Sequence, residues 1–145
     1  MATGDLIVFE EAKAYMIDGG WAPTDDFKVA LVTNAVNPTA ADATPALADY
    51  TEVTPGGNYT AGGISIGALS TLVSEAAGTM TFDSATNPSW AVNASNPTNA
   101  YWGIVYNDTF AGNQALAFVE LGGPINMSAA SLTITWNGSG LFTIV

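Results

Sequence analysis

Short apolar runs separated by turn residues occupy most of the chain from residue 27 onward. The run from Phe27 to Thr33 is rich in β-branched residues and nearly continuously apolar, which is typical of a buried strand. Further strands, spaced about ten residues apart, are predicted at Ile64 to Val73, Thr79 to Phe82, Ser89 to Val92, Tyr101 to Tyr106, Ala115 to Leu121, Leu132 to Trp136 and Leu141 to Val145. This pattern favours a mainly β fold, an antiparallel β-sandwich or partly closed barrel.

Two of these strands allow a more specific prediction. From Tyr101 to Tyr106 both alternating sets of side chains are apolar, so this strand is expected at the centre of a sheet or under another subunit. Near the end of the chain, Asn137-Gly138 supplies a turn between two alternating segments. The sequence therefore predicts a C-terminal hairpin in which Leu132, Ile134 and Trp136 face inward.

Residues 1–20 have the one helical pattern in the chain. Thr3 or Asp5 can cap a helix that Asp18-Gly19-Gly20 ends, and one helical face carries Leu6, Phe9, Lys13 and Met16. The predicted division is a helix or arm over 1–20 and a single β-rich domain over 21–145. The arm has too many apolar residues for a solvated tail. The expected contacts with a partner are Leu6, Ile7, Phe9, Tyr15 and Met16. The alternative is that the helix covers one face of the sandwich.

The segment from Asn34 to Pro55 changes in composition to Ala, Thr, Asn, Pro and Asp. It is predicted to form a long surface loop with one helical turn around Pro45 to Tyr50. Loops of this length are commonly functional or mobile.

Charge narrows the possible partners. Thirteen acidic residues face two lysines, Lys13 and Lys28, and the formal net charge is −11. Nucleic-acid binding is excluded, because neutralising phosphates requires clustered basic side chains. From Val29 to Val145 there is no basic residue. The acids of that stretch must therefore be solvated, hydrogen-bonded, metal-bound or paired with the cations of a partner.

The chain also lacks histidine and cysteine. This removes the usual general base, the thiol nucleophile and the common zinc ligands, and we predict no enzymatic activity and no cofactor. A Ser-Lys dyad and a pair of carboxylates for glycoside hydrolysis are the enzymatic alternatives. Oxygen ligands for a structural calcium are available at Asp25-Asp26, Asp83 and Asn107-Asp108, although no EF-hand loop is present. No apolar run is long enough to span a membrane, and the first residues lack the pattern of a signal peptide.

Aromatic side chains offer one more candidate site. A sugar-stacking platform could be formed by Trp90, Tyr101, Trp102, Tyr106, Phe118 and Trp136. Because these residues alternate along predicted strands, a role in the core and in interfaces is the favoured interpretation.

The order of the short motifs resembles a family of small virion proteins of tailed bacteriophages. The segments that carry this resemblance span nearly the whole chain and are Phe27 to Val32, Asn58 to Gly63, Phe82 followed by Trp90, Ala100 to Tyr106, Phe118 to Gly122 and Leu132 to Trp136. The resemblance implies a structural component of the particle, made in the host cytoplasm, and gives no catalytic residue.

Two functions are consistent with these expectations. The first is a capsid decoration protein on the outside of the virion head, bound to the major capsid protein as a homotrimer or another symmetric homo-oligomer. The second is a receptor- or glycan-binding module of a tail or fibre. Neither involves nucleic acid or a membrane as the direct partner.

Overall fold

A computed structural model describes residues 4–18 and 20–144. The strands are β1 (Leu6–Val8), β2 (Asp26–Val32), β3 (Ile64–Ala68), β4 (Val73–Ala76), β5 (Thr79–Phe82), β6 (Ser89–Trp90), β7 (Ala100–Asn107), β8 (Ala115–Ile125), β9 (Leu132–Thr133) and β10 (Phe142–Ile144). The helices are α1 (Glu10–Ile17), α2 (Leu69–Leu72) and a 3-10 turn at Leu47–Asp49. The predicted mainly β fold is confirmed, with 39% strand and 11% helix.

The main sheet has five antiparallel strands in the order β1-β8-β7-β2-β3. Strand β7 lies at its centre, as the two apolar faces of this segment predict. Every residue from Trp102 to Asn107 is buried, so the strand is covered on both sides. Strand β2 forms where the sequence predicts it and is buried from Val29 to Val32.

A smaller sheet of three strands, in the order β10-β5-β4, packs against the main one. Aromatic contacts connect the layers: the Phe27 ring lies 5.6 Å from the Phe82 ring, and Phe82 stacks on Phe142 at 5.1 Å between ring centroids. The arrangement is a sandwich-like packing of antiparallel sheets rather than a closed barrel. A two-stranded pair, β6 with β9, completes the strand pairing of the described residues.

The N-terminal segment differs from its prediction. Leu6 to Val8 form strand β1, which pairs with Val119 to Ala117 of β8, and the helix begins only at Glu10. The N-cap position is Phe9, which offers no side-chain cap, rather than Asp5; Thr3 and Gly19 lie outside the described residues. Unpaired edge groups of β8 are satisfied by this strand, and the sheet hydrogen bonds override the local helical spacing.

The C-terminal hairpin prediction is wrong. Strand β9 pairs with β6, and β10 pairs with β5, so the two segments beside Asn137-Gly138 belong to different sheets. Ile134 is buried as expected, whereas Leu132 and Trp136 are half-buried. The turn at Asn137 is real, since Gly140 N donates to Asn137 O at 2.9 Å, but a turn does not require that its flanking strands pair.

Two other predicted boundaries change. The single strand predicted from Ile64 to Val73 is two strands separated by the one-turn helix α2. Strand β8 continues beyond its predicted end at Leu121 and reaches Ile125, which lies opposite Ala100. The 3-10 turn within the long loop is confirmed.

The loop that ends at Gly63 packs closely on the main sheet. A Cβ at Gly63 would lie 1.8 Å from Val29 O, and the φ of this residue is +76°. Only glycine allows both this approach and this backbone conformation. The contact fixes where the loop returns to strand β3.

Candidate functional site

The predicted partner-contact residues lie in different surroundings. The Phe9 and Tyr15 side chains are buried in the core, where the Phe9 ring contacts Phe118 at 4.9 Å between centroids. Leu6 and Ile7 are half-buried in β1, and Met16 is half-buried beside the small sheet. The segment is thus integrated into the domain, and of the five residues only Met16 borders an open apolar surface.

That surface is a groove between α1 and the small sheet, with a volume of about 560 Å³. Its lining is almost entirely apolar and comprises Val8, Lys13, Met16, Ile17, Met80, Phe142, Thr143 and Ile144. We call it the α1 groove. Grooves of this size and polarity bind apolar groups of ligands or partner proteins.

The register of the small sheet explains the groove. Opposite residues in antiparallel strands share a face, so Phe142, Phe82 and Val73 form one row, and Ile144, Met80 and Glu75 form the next. The first row packs on the core through Phe82, which is fully buried. The second row extends beyond the cover of the main sheet. The other face of the small sheet carries Ser74, Thr81 and Thr143, and Thr143 also borders the groove because β10 is an edge strand.

A second pocket of about 350 Å³ continues the apolar surface. It shares Met16 and Met80 with the α1 groove and is otherwise lined by Trp21, Pro23, Leu69, Ser70 and Val73. We call it the β4 pocket because it reaches the edge strand through Val73. Methionine at the junction suits an adaptable contact, since its side chain fills irregular spaces.

Two of the four exposed large apolar side chains of the described residues, Ile17 and Ile144, line the α1 groove. Ile17 is 85% exposed and Ile144 is 42% exposed. Isolated exposed hydrophobics are ordinary, whereas contiguous exposed apolar surface is typical of interaction sites. Ile17, Met80 and Ile144 are not among the contact residues predicted from the sequence. The alternation in β5 and the position of Ile17 four residues after Lys13 are the signals that could have indicated them.

Hydrogen bonds hold the long loop, which continues to Gly63, against the main sheet. Tyr59 donates to Glu52 Oε1 at 2.6 Å, and its hydroxyl accepts a bond from Leu31 N at 3.0 Å. The Tyr106 hydroxyl donates to Gly62 O at 2.8 Å. These bonds connect the loop with β2 and β7.

Burial and carboxylate neighbours raise the pKa of Tyr15 and of three tyrosines whose hydroxyls donate hydrogen bonds. For Tyr50 and Tyr59, burial is the largest cause, followed by hydrogen bonds to Asp42 and Glu52 respectively. For Tyr106, burial comes first and the charge of Asp108 second. All three therefore remain protonated donors at neutral pH, which suits a structural role better than proton transfer.

The pKa of Asp42 is moved in the opposite direction. Burial, the largest single influence, would raise it, but hydrogen bonds from Thr39 and Tyr50 together lower it below its usual value. This carboxylate is held charged as an acceptor for the loop.

The candidate calcium ligands have protein partners. Asp25 is 5% exposed and its Oδ2 accepts bonds from Asn107 Nδ2 at 2.7 Å and Ala22 N at 3.0 Å. Asp26 accepts from Ser65 at 2.7 Å. Lys28 Nζ lies 2.6 Å from Asp108 Oδ2. Within residues 4–18 and 20–144, no cluster of three or more acidic, histidine or cysteine side chains is placed to hold a metal ion.

The aromatic platform is largely enclosed. Trp90, Trp102, Tyr106 and Phe118 are each at most 8% exposed. Tyr101 and Trp136 are half-buried, and the Trp136 indole donates to Thr86 O at 2.8 Å. The core interpretation applies to the four buried rings.

The described part of the chain contains no helix with the length and apolar character needed to cross a membrane. Comparisons with protein-family models, with curated proteins and with solved structures find no match to this chain.

Proposed function

We propose that this chain is a non-enzymatic structural component of a bacteriophage particle, a decoration subunit bound to the outside of the head. The observation that carries the proposal is the α1 groove with Ile17, 85% exposed, at its rim. An exposed apolar side chain that is continuous with an apolar groove is the kind of surface that a partner covers. The resemblance of the sequence motifs to tailed-phage virion proteins supports a component of the particle as that partner.

The net charge of −11 also supports a protein partner with basic surface patches. The major capsid protein is the partner that this proposal requires, and a symmetric homo-oligomer such as a trimer is the assembly we expect. The acidic charge would speed association with a basic patch, and the groove would supply the apolar contact.

Cryo-electron microscopy of the intact particle tests the proposal. Regular, repeated density for this chain on the head would support it. Density restricted to the tail or a fibre would favour the alternative of a receptor- or glycan-binding module, and absence from purified particles would contradict both.

A matched pair of variants tests the role of the groove. Ile17→Ser removes the exposed apolar side chain, whereas Val92→Ser removes another one, 53% exposed, that does not line the groove. We expect both proteins to fold normally, because neither side chain is buried. Binding to particles stripped of the chain should be reduced about tenfold for Ile17→Ser and unchanged for Val92→Ser. Equal binding by both variants would contradict attachment through the groove.

A further inference from the structure

Strand β4 has a free edge in the described structure, because it is the last strand of its sheet and pairs only with β5. It is joined to β5 by Ala77 and Gly78, with φ of +51° and +82°, as in a two-residue hairpin turn with both φ positive. In such a hairpin, Ala76 and Thr79 form the hydrogen-bonded pair beside the turn. The N–H and C=O of Glu75, one residue earlier, therefore point to the free edge.

Side chains along this edge combine a charge with an apolar pocket. Glu75 is exposed, and Val73, two residues earlier on the same face, lines the β4 pocket of about 350 Å³. Glu75 Oε1 accepts a bond from Gly78 N at 2.8 Å, and a carboxylate has further capacity to accept from a cation. A strand added here would thus meet one negative charge and one apolar pocket at a spacing of two residues.

We propose that an extended segment of a partner protein adds to β4 as an antiparallel strand, with a lysine or arginine opposite Glu75 and an apolar side chain in the β4 pocket. In this orientation the partner residue opposite Val73 follows the residue opposite Glu75 by two positions. The recognised pattern, read from the N-terminal side, is a basic residue, any residue, and an apolar residue. Backbone hydrogen bonds supply affinity in such strand addition, and the alternate side chains supply specificity.

Charge decides between this occupant and a second copy of the chain. A two-fold pairing of β4 with itself brings Glu75 of each copy near the other, and like charges on neighbouring strands are destabilising. It also brings together two chains that each carry a net charge of −11. A basic segment of another protein has neither penalty. A second copy of the chain could not supply such a segment from its β-rich part, because no lysine or arginine follows Lys28 in the sequence.

The inference rests on the proposed function only for the identity of the partner, and it can be tested without particles. The probe is a capped peptide of about nine threonine and valine residues with Lys-Thr-Leu at its centre, added to the full chain. The control peptide has the same composition with lysine and leucine adjacent, so that they fall on opposite faces of the strand. We expect the first peptide to bind about tenfold more tightly, with the Glu75 amide becoming protected from hydrogen exchange.

A pair of charge variants tests the role of Glu75. Glu75→Lys should weaken binding of the lysine peptide about tenfold and create binding to a peptide with glutamate in place of lysine. Glu10→Lys is the control, because it makes the same change in net charge at an exposed residue of α1. This variant should still bind the lysine peptide more tightly than the glutamate peptide.

Several results would overturn the proposal. These are equal binding of the two spacings, equal effects of the two charge variants, or no binding of any peptide at about 2 mM. Protection of the Glu75 amide that grows with protein concentration in the absence of peptide would identify a second copy as the occupant. If no peptide binds but the chain still attaches to particles through Ile17, this inference is wrong and the proposed function is unaffected. If the chain is absent from particles, the proposed function is wrong and the peptide result is unaffected.

Discussion

The two sheets of the sandwich differ in how completely they are covered. Strand β7 of the main sheet is buried from Trp102 through Asn107, whereas β4 of the small sheet has a half-buried Val73 followed by three exposed residues. Both sheets carry apolar side chains on their inward faces, although in the small sheet the row of Met80 and Ile144 ends at Glu75. Other parts of the same chain cover the main sheet. In the small sheet, by contrast, one apolar row, that of Met80 and Ile144, lines an open groove. Most of the buried hydrophobic residues therefore belong to the main sheet, and the small sheet borders the open apolar surface.

The largest effect should come from the aromatic that connects the N-terminal segment to the main sheet. Phe9 is fully buried and contacts Phe118, so Phe9→Ala should lower the free energy of unfolding by about 3–5 kcal/mol. Urea denaturation measures this loss. A loss below about 1 kcal/mol would mean that residues 1–20 act as a separate arm, one of the two alternatives that the sequence leaves open. Deletion of 1–20 should likewise unfold the chain rather than release a stable β domain.

A smaller effect is expected where the long loop meets the main sheet. Tyr59→Phe removes the hydroxyl that accepts from Leu31 N and donates to Glu52. Leaving a buried N–H without its acceptor should cost about 1–3 kcal/mol. Tyr101→Phe, at a half-buried ring of the same residue type, serves as the control and should change the unfolding midpoint much less. Equal midpoints for both variants would contradict the structural role of this hydrogen bond.

Alkaline pH should produce a graded loss of stability. The folded pKa values of Tyr50, Tyr59 and Tyr106 are raised above that of an unfolded tyrosine, about 10, chiefly by burial. Their contribution is therefore complete below pH of about 10 and is lost as the pH rises toward their folded pKa values. Phenolate absorbance and circular dichroism, followed together, should show these three rings ionising only as the protein unfolds. Ionisation of all five tyrosines before any loss of structure would contradict this expectation.

The smallest effect on stability is expected at the open row. Ile144 is 42% exposed, and Ile144→Ser should change the free energy of unfolding by no more than about 0.5 kcal/mol. A much larger loss in thermal denaturation would show that the groove is part of the core, and the contrast between the sheets would then disappear.

Sequence patterns predicted the two buried strands β2 and β7 of the main sheet better than the pairing of the C-terminal strands, for a physical reason. From Phe27 to Val32 and from Tyr101 to Tyr106, apolar side chains on both faces require a buried strand whatever its neighbours are. The choice of neighbour depends on distant residues, and local turn chemistry wrongly paired the segment at Leu132 with that at Phe142. Their partners, β6 and β5, come from far earlier in the chain.

The same limit applied to the candidate site. The sequence identified the N-terminal segment as rich in apolar residues, but helical spacing alone could not show that Phe9 and Tyr15 turn into the core. Nor could it show that Ile17 stays outside, because the groove is created by strands β5 and β10. Met16 is the predicted contact residue that the fold brings to this surface.

The pairing of β1 with β8 also affects how fast the protein folds during its synthesis. Leu6 lies opposite Val119. During synthesis, strand β1 therefore cannot pair until β8, the last strand of the main sheet in the sequence, has been made. Contacts so distant in sequence slow folding, and an apolar strand waiting in the open is a site for association between nascent chains. Molecular chaperones that shield Leu6 to Val8 would therefore be expected to matter more for the yield of this protein than for its final stability.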